Sequence, residues 1–419
     1  MIKSITGTKD ILPEDIQRWN FLESIVEKVF ASFNYKEIRT PVFEETALFA
    51  RGIGEATDIV GKEMYTFIDR SETSITLKPE MTASVVRAFV EHSLGTKQPL
   101  NKLFYISPMF RQERPQAGRF RQFHQFGAEA IGSNSPLLDA EMIQMAFDIF
   151  KLLGLKDVSV KINSLGVPES REKYKELLRN YLFDKKDNLS EDSRMRFEKN
   201  ILRIFDSKIE CDREIMKNAP LLIDYLDEES KNDFEIVKEA LTRGNIPFEI
   251  DPKLVRGLDY YTKTTFEIVS EKVGSQSALC GGGRYDLLIE QLGGKPTPGV
   301  GFAAGIERIL LACENEKAFS IPESSIDLYI TRLDKELEKF VYDIASYFRR
   351  ENFIVEIDYL DRSVKAQMRE ANKLGSRYVL FAGGEEFQNG LLNLKNMADG
   401  IQKTFDKNNL EEIKNYLKK

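Results

Sequence analysis

The chain has 419 residues, 42% of them hydrophobic and 30% charged, and at roughly 100–200 residues per domain this length predicts two or three domains. No apolar run is long enough to span a bilayer, and the N-terminus has no apolar region typical of signal peptides, so a membrane protein is excluded and a cytoplasmic location is expected. Three widely spaced cysteines and only two histidines exclude a disulfide framework and a zinc site built from sulfur and imidazole.

The first part of the chain predicts helices and a long hairpin. Apolar residues at three- and four-residue spacing predict helices over residues 15–34, 79–94 and 136–153. An extended stretch, EIRTPVF, follows the first helix, and residues 62–80 predict two short strands around a polar turn. Residues 102–132 predict an antiparallel hairpin, because two strand-like runs flank a polar turn with proline and glycine.

The rest of the chain predicts an insertion and a second domain. Lys- and Glu-rich helical patterns over 167–247 predict a helical insertion within a domain formed by 1–166 and 248–318. Beyond Pro252 strand-like segments return at KTTFEIV and ALCGGGRYDLLIEQL, and a helix is predicted from near Phe302. After a linker at 319–325, residues 326–419 alternate as β-α-β-α-β-β-α, which predicts a separate α/β domain.

The hairpin carries the strongest sign of a site. On its second strand, period two places Phe123, Gln125, Gly127 and Glu129 on one face, and a buried amide and carboxylate need polar partners. Arg111 ends the first strand opposite them. Further arginines line the turn, at positions 114, 119 and 121, and such a density suits an anion such as phosphate. An exposed hairpin held by surface ion pairs is the alternative.

Three further motifs carry weaker signals. In LVRGLDYYT, Arg256 precedes the paired Tyr260 and Tyr261, which could bind a ligand or simply pack in the core behind a turn. The glycine run of CGGGRYD allows a backbone to approach a ligand closely, or forms a tight turn. In GVGFAAGIERILL, Gly305 on a helix implies a packing or ligand reason, and Arg308 could clamp a phosphate or form a surface pair with a glutamate.

Together these motifs resemble the histidyl-tRNA synthetases over nearly the whole chain. MFRQERPQAGRFRQFHQFGAE is similar to the second class II motif in its histidyl form, and GVGFAAGIERILL to the third. LVRGLDYYT and ALCGGGRYD resemble the two stretches peculiar to this family, and GTKDILPED and TLKPEMTASVVRA also match. The chain departs from the family at two positions peripheral to the chemistry: Lys78 stands where many members have Arg, and Leu287 stands where Gly is common.

The resemblance implies an α+β class II catalytic domain, an antiparallel sheet with flanking helices, with a helical insertion and a C-terminal α/β anticodon-binding domain. It implies a homodimer whose interface lies around the first long helix and RTPVFE. The implied activity joins L-histidine to tRNA(His), using ATP with Mg²⁺ and passing through histidyl-adenylate. The net charge of −7 does not oppose tRNA binding, because a basic face can lie within an acidic whole.

Site residues follow from the matched motifs. The residues implied to bind histidine are Glu80, Met81, Thr82, Arg111, Gln125, Glu129, Arg256, Tyr260 and Tyr261. Arg111 and Arg256 would stabilise the α-phosphate as the catalytic pair, and Glu113 and Arg308 would bind the rest of ATP. Arg114, Gln116 and Arg119 in the hairpin turn would meet the acceptor end of tRNA.

Three rivals share parts of this pattern. A regulatory paralogue of ATP phosphoribosyltransferase has degraded class II motifs and lacks the anticodon domain. A sensor module that binds uncharged tRNA is normally fused to a kinase. A prolyl, threonyl or glycyl synthetase lacks the LVRGLDYYT stretch with its paired tyrosines.

Overall fold

The computed structural model describes residues 1–54, 57, 59–255, 258, 260–271, 277–318 and 325–418. The chain divides into two compact units, Met1–Ser320 and Ile321–Lys419. None of the helices in these described ranges is long and apolar enough to cross a membrane.

An eight-stranded sheet forms the centre of the first unit. Its strands are β1 (Lys36–Glu37), β5 (Asn101–Phe110), β6 (Gln122–Ile131), β7 (Val158–Ser164), β8 (Phe248–Ile250), β9 (Thr262–Ser270), β10 (Ala278–Arg284) and β11 (Gly299–Gly305). They lie in the order β1-β5-β6-β11-β10-β9-β7-β8. The pairs are antiparallel except at the two edges, where β1 with β5 and β7 with β8 run parallel. The predicted hairpin is therefore confirmed as β5 and β6.

Helices pack their apolar faces against this sheet. They include α1 (Pro13–Ser32), α5 (Pro136–Leu152) and α11 (Ile306–Glu316). Proline at the first turn begins both α1 and α5, where its missing N–H costs nothing. Trp19, Leu22, Val26 and Phe30 of α1 join one hydrophobic core with Phe126 of β6.

A smaller sheet lies beside the long hairpin. It consists of β2 (Phe43–Glu45), β3 (Tyr65–Ile68) and β4 (Ser74–Leu77), in the order β2-β4-β3. Helices α2 (Thr46–Ile53), α3 (Thr82–Glu91) and α4 (Leu94–Lys97) and a π-helix at Ile59–Glu63 accompany it. The predicted pair of short strands and the helix that follows them are confirmed, with the helix beginning later, at Thr82.

The segment predicted as an insertion is helical between β7 and β8. Its helices are α6 (Pro168–Phe183), α7 (Glu191–Lys199), α8 (Glu210–Met216) and α9 (Glu228–Arg243), with short 3-10 turns between them. The side chains of Ser190 and Asp227 cap α7 and α9 by accepting backbone N–H groups of the first turn. A further short helix, α10 (Leu288–Gln291), follows β10.

The second unit is a five-stranded mixed sheet with helices. Its strands are β12 (Leu328–Arg332), β13 (Val355–Ile357), β14 (Tyr378–Ala382), β15 (Leu391–Asn396) and β16 (Gln402–Asp406), in the order β13-β12-β14-β15-β16. The helices are α12 (Glu338–Arg350), α13 (Val364–Lys373), α14 (Gly384–Gln388) and α15 (Leu410–Leu417). The α/β alternation is as predicted, but strand β16 and helix α14 were not expected from the sequence pattern.

Three local predictions are wrong. The helix predicted from near Phe302 begins only at Ile306, because residues up to Gly305 form β11, which pairs with β6 on one side and β10 on the other. Gly305 therefore precedes the helix. The glycine run lies within strand β10, as the strand-like segment predicted, and not in the alternative tight turn; a Cβ on Gly282 would come within 2.4 Å of the Gly301 carbonyl oxygen. The LLIEQ stretch after it is helical rather than extended.

Candidate active site

A cavity of about 360 Å³ opens over the middle of the large sheet. Its wall is formed by the N-terminus of α3, the hairpin, the segment at the start of β9, and strands β10 and β11. Nine of the residues predicted from the sequence line it: Glu80, Thr82, Arg111, Glu113, Arg119, Gln125, Tyr260, Tyr261 and Arg308. Residues more than 200 positions apart in sequence thus meet at one place.

The carboxylate of Glu129 is fully buried below this cavity. Tyr285 donates its hydroxyl to Oε2 at 2.6 Å, and Thr82 donates to Oε1 at 2.8 Å. The Tyr105 hydroxyl lies 3.4 Å from Oε1. Burial, with a smaller contribution from Glu80, raises the pKa of Glu129 to about 8, although its hydroxyl partners act in the opposite direction. The site therefore holds a carboxyl group that can ionise near neutral pH.

Glu80 fixes the start of α3 at the edge of the cavity. Its two carboxylate oxygens accept the backbone N–H groups of Thr82, at 2.8 Å, and Ala83, at 2.9 Å. Burial raises the pKa of Glu80, and these N–H groups oppose the rise. Met81, between Glu80 and Thr82, is only 1% exposed and packs in the core, outside the residues that line the cavity.

Gln125 presents an unsatisfied acceptor in the cavity wall. Its Oε1 is buried and has no hydrogen-bond partner within the described residues. Because a buried acceptor without a partner costs free energy, this atom is placed to receive an N–H donor from a ligand. Phe123 lies two residues away on the same strand face, and its ring carries the Arg111 guanidinium 5.2 Å from its centroid.

An arginine cluster occupies the other end of the cavity. Arg119 forms an ion pair with Glu113 at 2.8 Å, and Arg111 lies 3.6 Å from the same carboxylate. Arg111 also donates Nε–H to the carbonyl of Pro79. Arg308 on α11 donates to the carbonyls of Gly118 and Ala278, and burial, followed by the charge of Arg119, lowers its pKa. Such mutually repelling cations favour an anionic ligand.

The turn of the hairpin extends this positive region outwards. Gln116 and Arg119 pair through their backbones, which closes the turn. Arg114 and Gln116 line a second, shallower cleft together with Lys62 and Arg119. Arg121 is held against the N-terminal segment, since it donates to the Thr6 carbonyl and its own backbone N–H bonds the Gly7 carbonyl.

The two tyrosines of LVRGLDYYT are both buried and line the cavity. Their ring centroids are 4.7 Å apart, and the Tyr260 ring also meets the Tyr285 ring edge-on at 5.9 Å. Tyr260 and Tyr261 therefore both pack in the core and line the cavity, so the two interpretations of the motif do not exclude each other. Arg256, predicted to be catalytic, lies outside the described residues.

Neither histidine lines the main cavity. His92 is exposed at the end of α3. His124, on the opposite face of β6 from Gln125, places Nδ1 3.0 Å from Oε1 of Glu307 and meets Trp19 edge-on. No group of three or more Cys, His, Asp or Glu residues able to hold a metal occurs in the part of the chain that the structure describes.

Comparison with known proteins gives the family. The sequence profile described as Histidyl-tRNA synthetase matches residues 7–309, and the profile described as Anticodon binding domain matches residues 327–419. The histidine–tRNA ligase of Halothermothrix orenii is 50% identical over 403 residues, which cover 96% of each chain. The chain belongs to the histidyl-tRNA synthetase family. The histidine–tRNA ligase of Geobacillus sp. WCH70 is 48% identical and covers 98% of this chain and 97% of its own.

Solved structures agree with this family. The crystal structure of apo S. aureus histidyl-tRNA synthetase is 39% identical, has a TM-score of 0.84 and covers 100% of both chains. A Bacillus halodurans structure described as an ATP phosphoribosyltransferase regulatory subunit/histidyl-tRNA synthetase is 21% identical, with a TM-score of 0.64 over 89% of this chain and 96% of that one. That second likeness concerns the fold alone. The class II fold implied by the resemblance is therefore confirmed.

Three residues that surround Glu129 were missed from the sequence. Tyr105 and Tyr285 contact Glu129, but they come from different strands, so no spacing links them to it. Gly301 on β11 is the third, because a Cβ there would lie 1.8 Å from Oε2 of Glu129. The available signs were the positions of Tyr285 within the GGGRYD motif and of Gly301 within GVGFAAGIERILL.

Proposed function

We propose that this protein attaches L-histidine to tRNA(His) in two steps, with histidyl-adenylate as the intermediate and AMP and pyrophosphate as products. One observation carries the proposal for this chain: the buried carboxyl of Glu129 lies below, and the unsatisfied amide oxygen of Gln125 lies in the wall of, a cavity that a cluster of arginines also lines. The carboxyl and the amide oxygen suit an amino acid with a basic ring, and the arginine cluster suits a triphosphate. Membership of the histidyl-tRNA synthetase family supports the same assignment.

Histidine would bind at the Glu129 end of the cavity. Glu129, with Tyr260 and Tyr261, would recognise the imidazole nitrogens, and the side-chain oxygen of Gln125 would accept a hydrogen bond from the amino group. Glu80, Met81 and Thr82, at the start of α3, would hold the amino group of histidine and the atoms next to it. A site built to bond both ring nitrogens rejects isosteres that lack them, by as much as about 10⁴-fold.

ATP would bind at the arginine end. Arg111 would contact the α-phosphate and the histidine carboxylate as the carboxylate attacks phosphorus in line and pyrophosphate leaves. Arg256 would meet the same phosphate, Arg308 the γ-phosphate, and Glu113 the adenine or the magnesium ion. Mg²⁺ brought with ATP would neutralise the remaining phosphate charge. Catalysis would rest on positioning and on fixed positive charge, since no nucleophilic side chain is required.

In the second step, the 3′-hydroxyl of the terminal adenosine would attack the adenylate and release AMP. Arg114, Gln116 and Arg119 in the hairpin turn would meet the acceptor end of the tRNA. The match of residues 327–419 to an anticodon-binding family supports a second contact, with the anticodon. We further propose that the enzyme works in the cytoplasm.

A homodimer forms part of the proposal. Val42 and Phe43, within RTPVFE, are 40% and 53% exposed, and on β3 Phe67 and Ile68 are 47% and 63% exposed. Such a group of exposed apolar side chains on one small sheet is typical of a protein interface. A second copy of the chain would cover them.

The regulatory paralogue is the competing function. The curated relatives named as ligases are 45–50% identical and span 94–98% of this chain, whereas the structure described as a regulatory subunit/histidyl-tRNA synthetase is only 21% identical. The decisive experiment is ATP–pyrophosphate exchange with each of the twenty amino acids. Exchange with histidine alone, followed by charging of tRNA(His), is expected. No exchange with any amino acid, from folded protein with Mg²⁺, would favour the regulatory function.

A further inference from the structure

The insertion is bonded directly to the segment that carries the two site tyrosines. Arg171, in the first turn of α6, donates Nη1–H to the backbone carbonyl of Tyr261 at 2.6 Å. Tyr261 lines the main cavity, and it also lines a basic cleft of about 230 Å³ together with Arg171. One guanidinium thus joins the insertion to the wall of the amino-acid pocket.

A second link lies two residues further along. The ammonium of Lys263 contacts Glu229 at 2.6 Å and Asp233 at 2.8 Å, both on α9. The lysine itself is 8% exposed, so this is an enclosed charge held by two carboxylates. The start of β9 is therefore fastened to two different insertion helices, α6 through Arg171 and α9 through Lys263.

The backbone at Lys263 is held in an unfavourable conformation. Its φ is +41°, in the left-handed region that favours glycine. Its N–H bonds the Gly166 carbonyl and its carbonyl accepts from Leu165 N–H, while the register of β9 against β10 shifts at this point. Irregularities of this kind redirect neighbouring side chains and are concentrated beside active sites. Here the neighbours are Tyr260 and Tyr261.

We infer that Arg171 and Lys263 are positioning residues for histidine recognition, which hold Tyr261 in the wall of the cavity from the insertion. This inference rests on the proposed function and assigns the insertion a part in amino-acid binding that requires no tRNA. Loosening the segment would move the tyrosine rings while leaving the arginine cluster in place. A displacement of about 1 Å in a positioned group can cost about 100-fold.

The test is the histidine KM in ATP–pyrophosphate exchange without tRNA. Arg171→Ala is expected to raise the histidine KM by about 10- to 100-fold, with the ATP KM changed less than about threefold. Arg171→Lys should recover part of the loss, since an ammonium can reach the same carbonyl. Arg213→Ala, which removes an exposed arginine elsewhere in the insertion, is the matched control and should leave both KM values unchanged.

Lys263→Gly separates positioning from backbone strain. Glycine accepts the positive φ but cannot bond Glu229 or Asp233, so the variant should fold and still show a raised histidine KM. Lys263→Arg should keep the histidine KM near that of the unchanged protein.

The inference is overturned if Arg171→Ala and Lys263→Gly both leave the histidine KM unchanged. It is also overturned if they raise the histidine and ATP KM values equally, which would indicate a general structural role. Absence of exchange in the unchanged protein and in the Arg213→Ala control would instead overturn the proposed function.

Discussion

The hydroxyl of Tyr285, at the end of the glycine-rich strand β10, donates a 2.6 Å hydrogen bond to the buried carboxylate of Glu129 on β6. Strand β11 lies between the two, and its Gly301 leaves the space through which they meet. The position of the Glu129 carboxylate is thus set by residues from three strands, and each of these contacts can be tested.

Tyr285→Phe removes the shortest of the bonds to Glu129. A hydrogen bond to a neutral group contributes about 0.5–1.5 kcal/mol, so the histidine KM should rise by roughly 2- to 10-fold in pyrophosphate exchange. Tyr174→Phe is the control, because that hydroxyl bonds the Pro220 carbonyl within the insertion. Equal KM values for the two variants would show that Tyr285 does not act on histidine binding.

Gly301→Ala should abolish amino-acid activation. The new Cβ would lie 1.8 Å from Oε2 of Glu129 and 2.6 Å from the Ala128 carbonyl oxygen, so the carboxylate would have to leave its position. Gly61→Ala serves as the control, because nothing lies within 4 Å of its Cβ. Binding of histidine, measured by calorimetry on folded protein, should be lost only in Gly301→Ala, and retained affinity would contradict the proposed place of Glu129.

The buried Glu129 should make stability depend on pH. Its pKa is about 8 in the folded protein against an ordinary value of 4.5, so between these values the native state keeps a proton that the unfolded state releases. The contribution of Glu129 to the free energy of unfolding is therefore fully present below about pH 4.5. It falls as the pH rises towards 8, by at most about 1.4 kcal/mol per pH unit.

Glu129→Gln lacks this proton and should gain stability relative to the unchanged protein from pH 6 to pH 8. Urea denaturation at a series of pH values measures the difference. Glu228→Gln, at a side chain 92% exposed, should run parallel to the unchanged protein. Parallel curves for Glu129→Gln as well would show that Glu129 is already ionised at pH 6.

Arg111→Ala should reduce kcat of pyrophosphate exchange by about 10²- to 10³-fold, as expected for the loss of a fixed donor to a developing charge. The exposed Arg194→Ala is the control and should retain the full rate. A variant with unchanged kcat and a raised ATP KM would assign Arg111 to ground-state binding only.

Arg284 and Asp139 should matter for stability rather than catalysis. Their side chains are 2% and 1% exposed and lie 2.7 Å apart, joining β10 to α5. Arg284→Ala leaves a buried carboxylate unpaired, which costs about 3–5 kcal/mol. The double variant Arg284→Met, Asp139→Leu should be less destabilised than the single one in urea denaturation. A larger loss in the double variant would show that the pair itself is strongly stabilising.

Much of the first unit could be predicted from local patterns. Apolar spacing gave the helix that begins at Pro13, and alternation along one strand placed Gln125 and Glu129 on the same face. Prediction from local patterns failed for residues 302–305. There the local pattern suggests a helix, but hydrogen bonds to neighbouring strands on both sides of β11 favour a strand. Pairing partners on both sides outweigh local propensity.

The sequence by itself therefore determined the family, the order of the elements and most of the polar residues of the cavity, because these are read from motifs and from the period of a single helix or strand. Only the tertiary structure decided that Tyr285 and Tyr105 contact Glu129, that Gly301 makes room for it, and that Arg171 bonds Tyr261. Such contacts depend on strand order and on register between strands distant in sequence, and the periodicity of one segment carries no information about either.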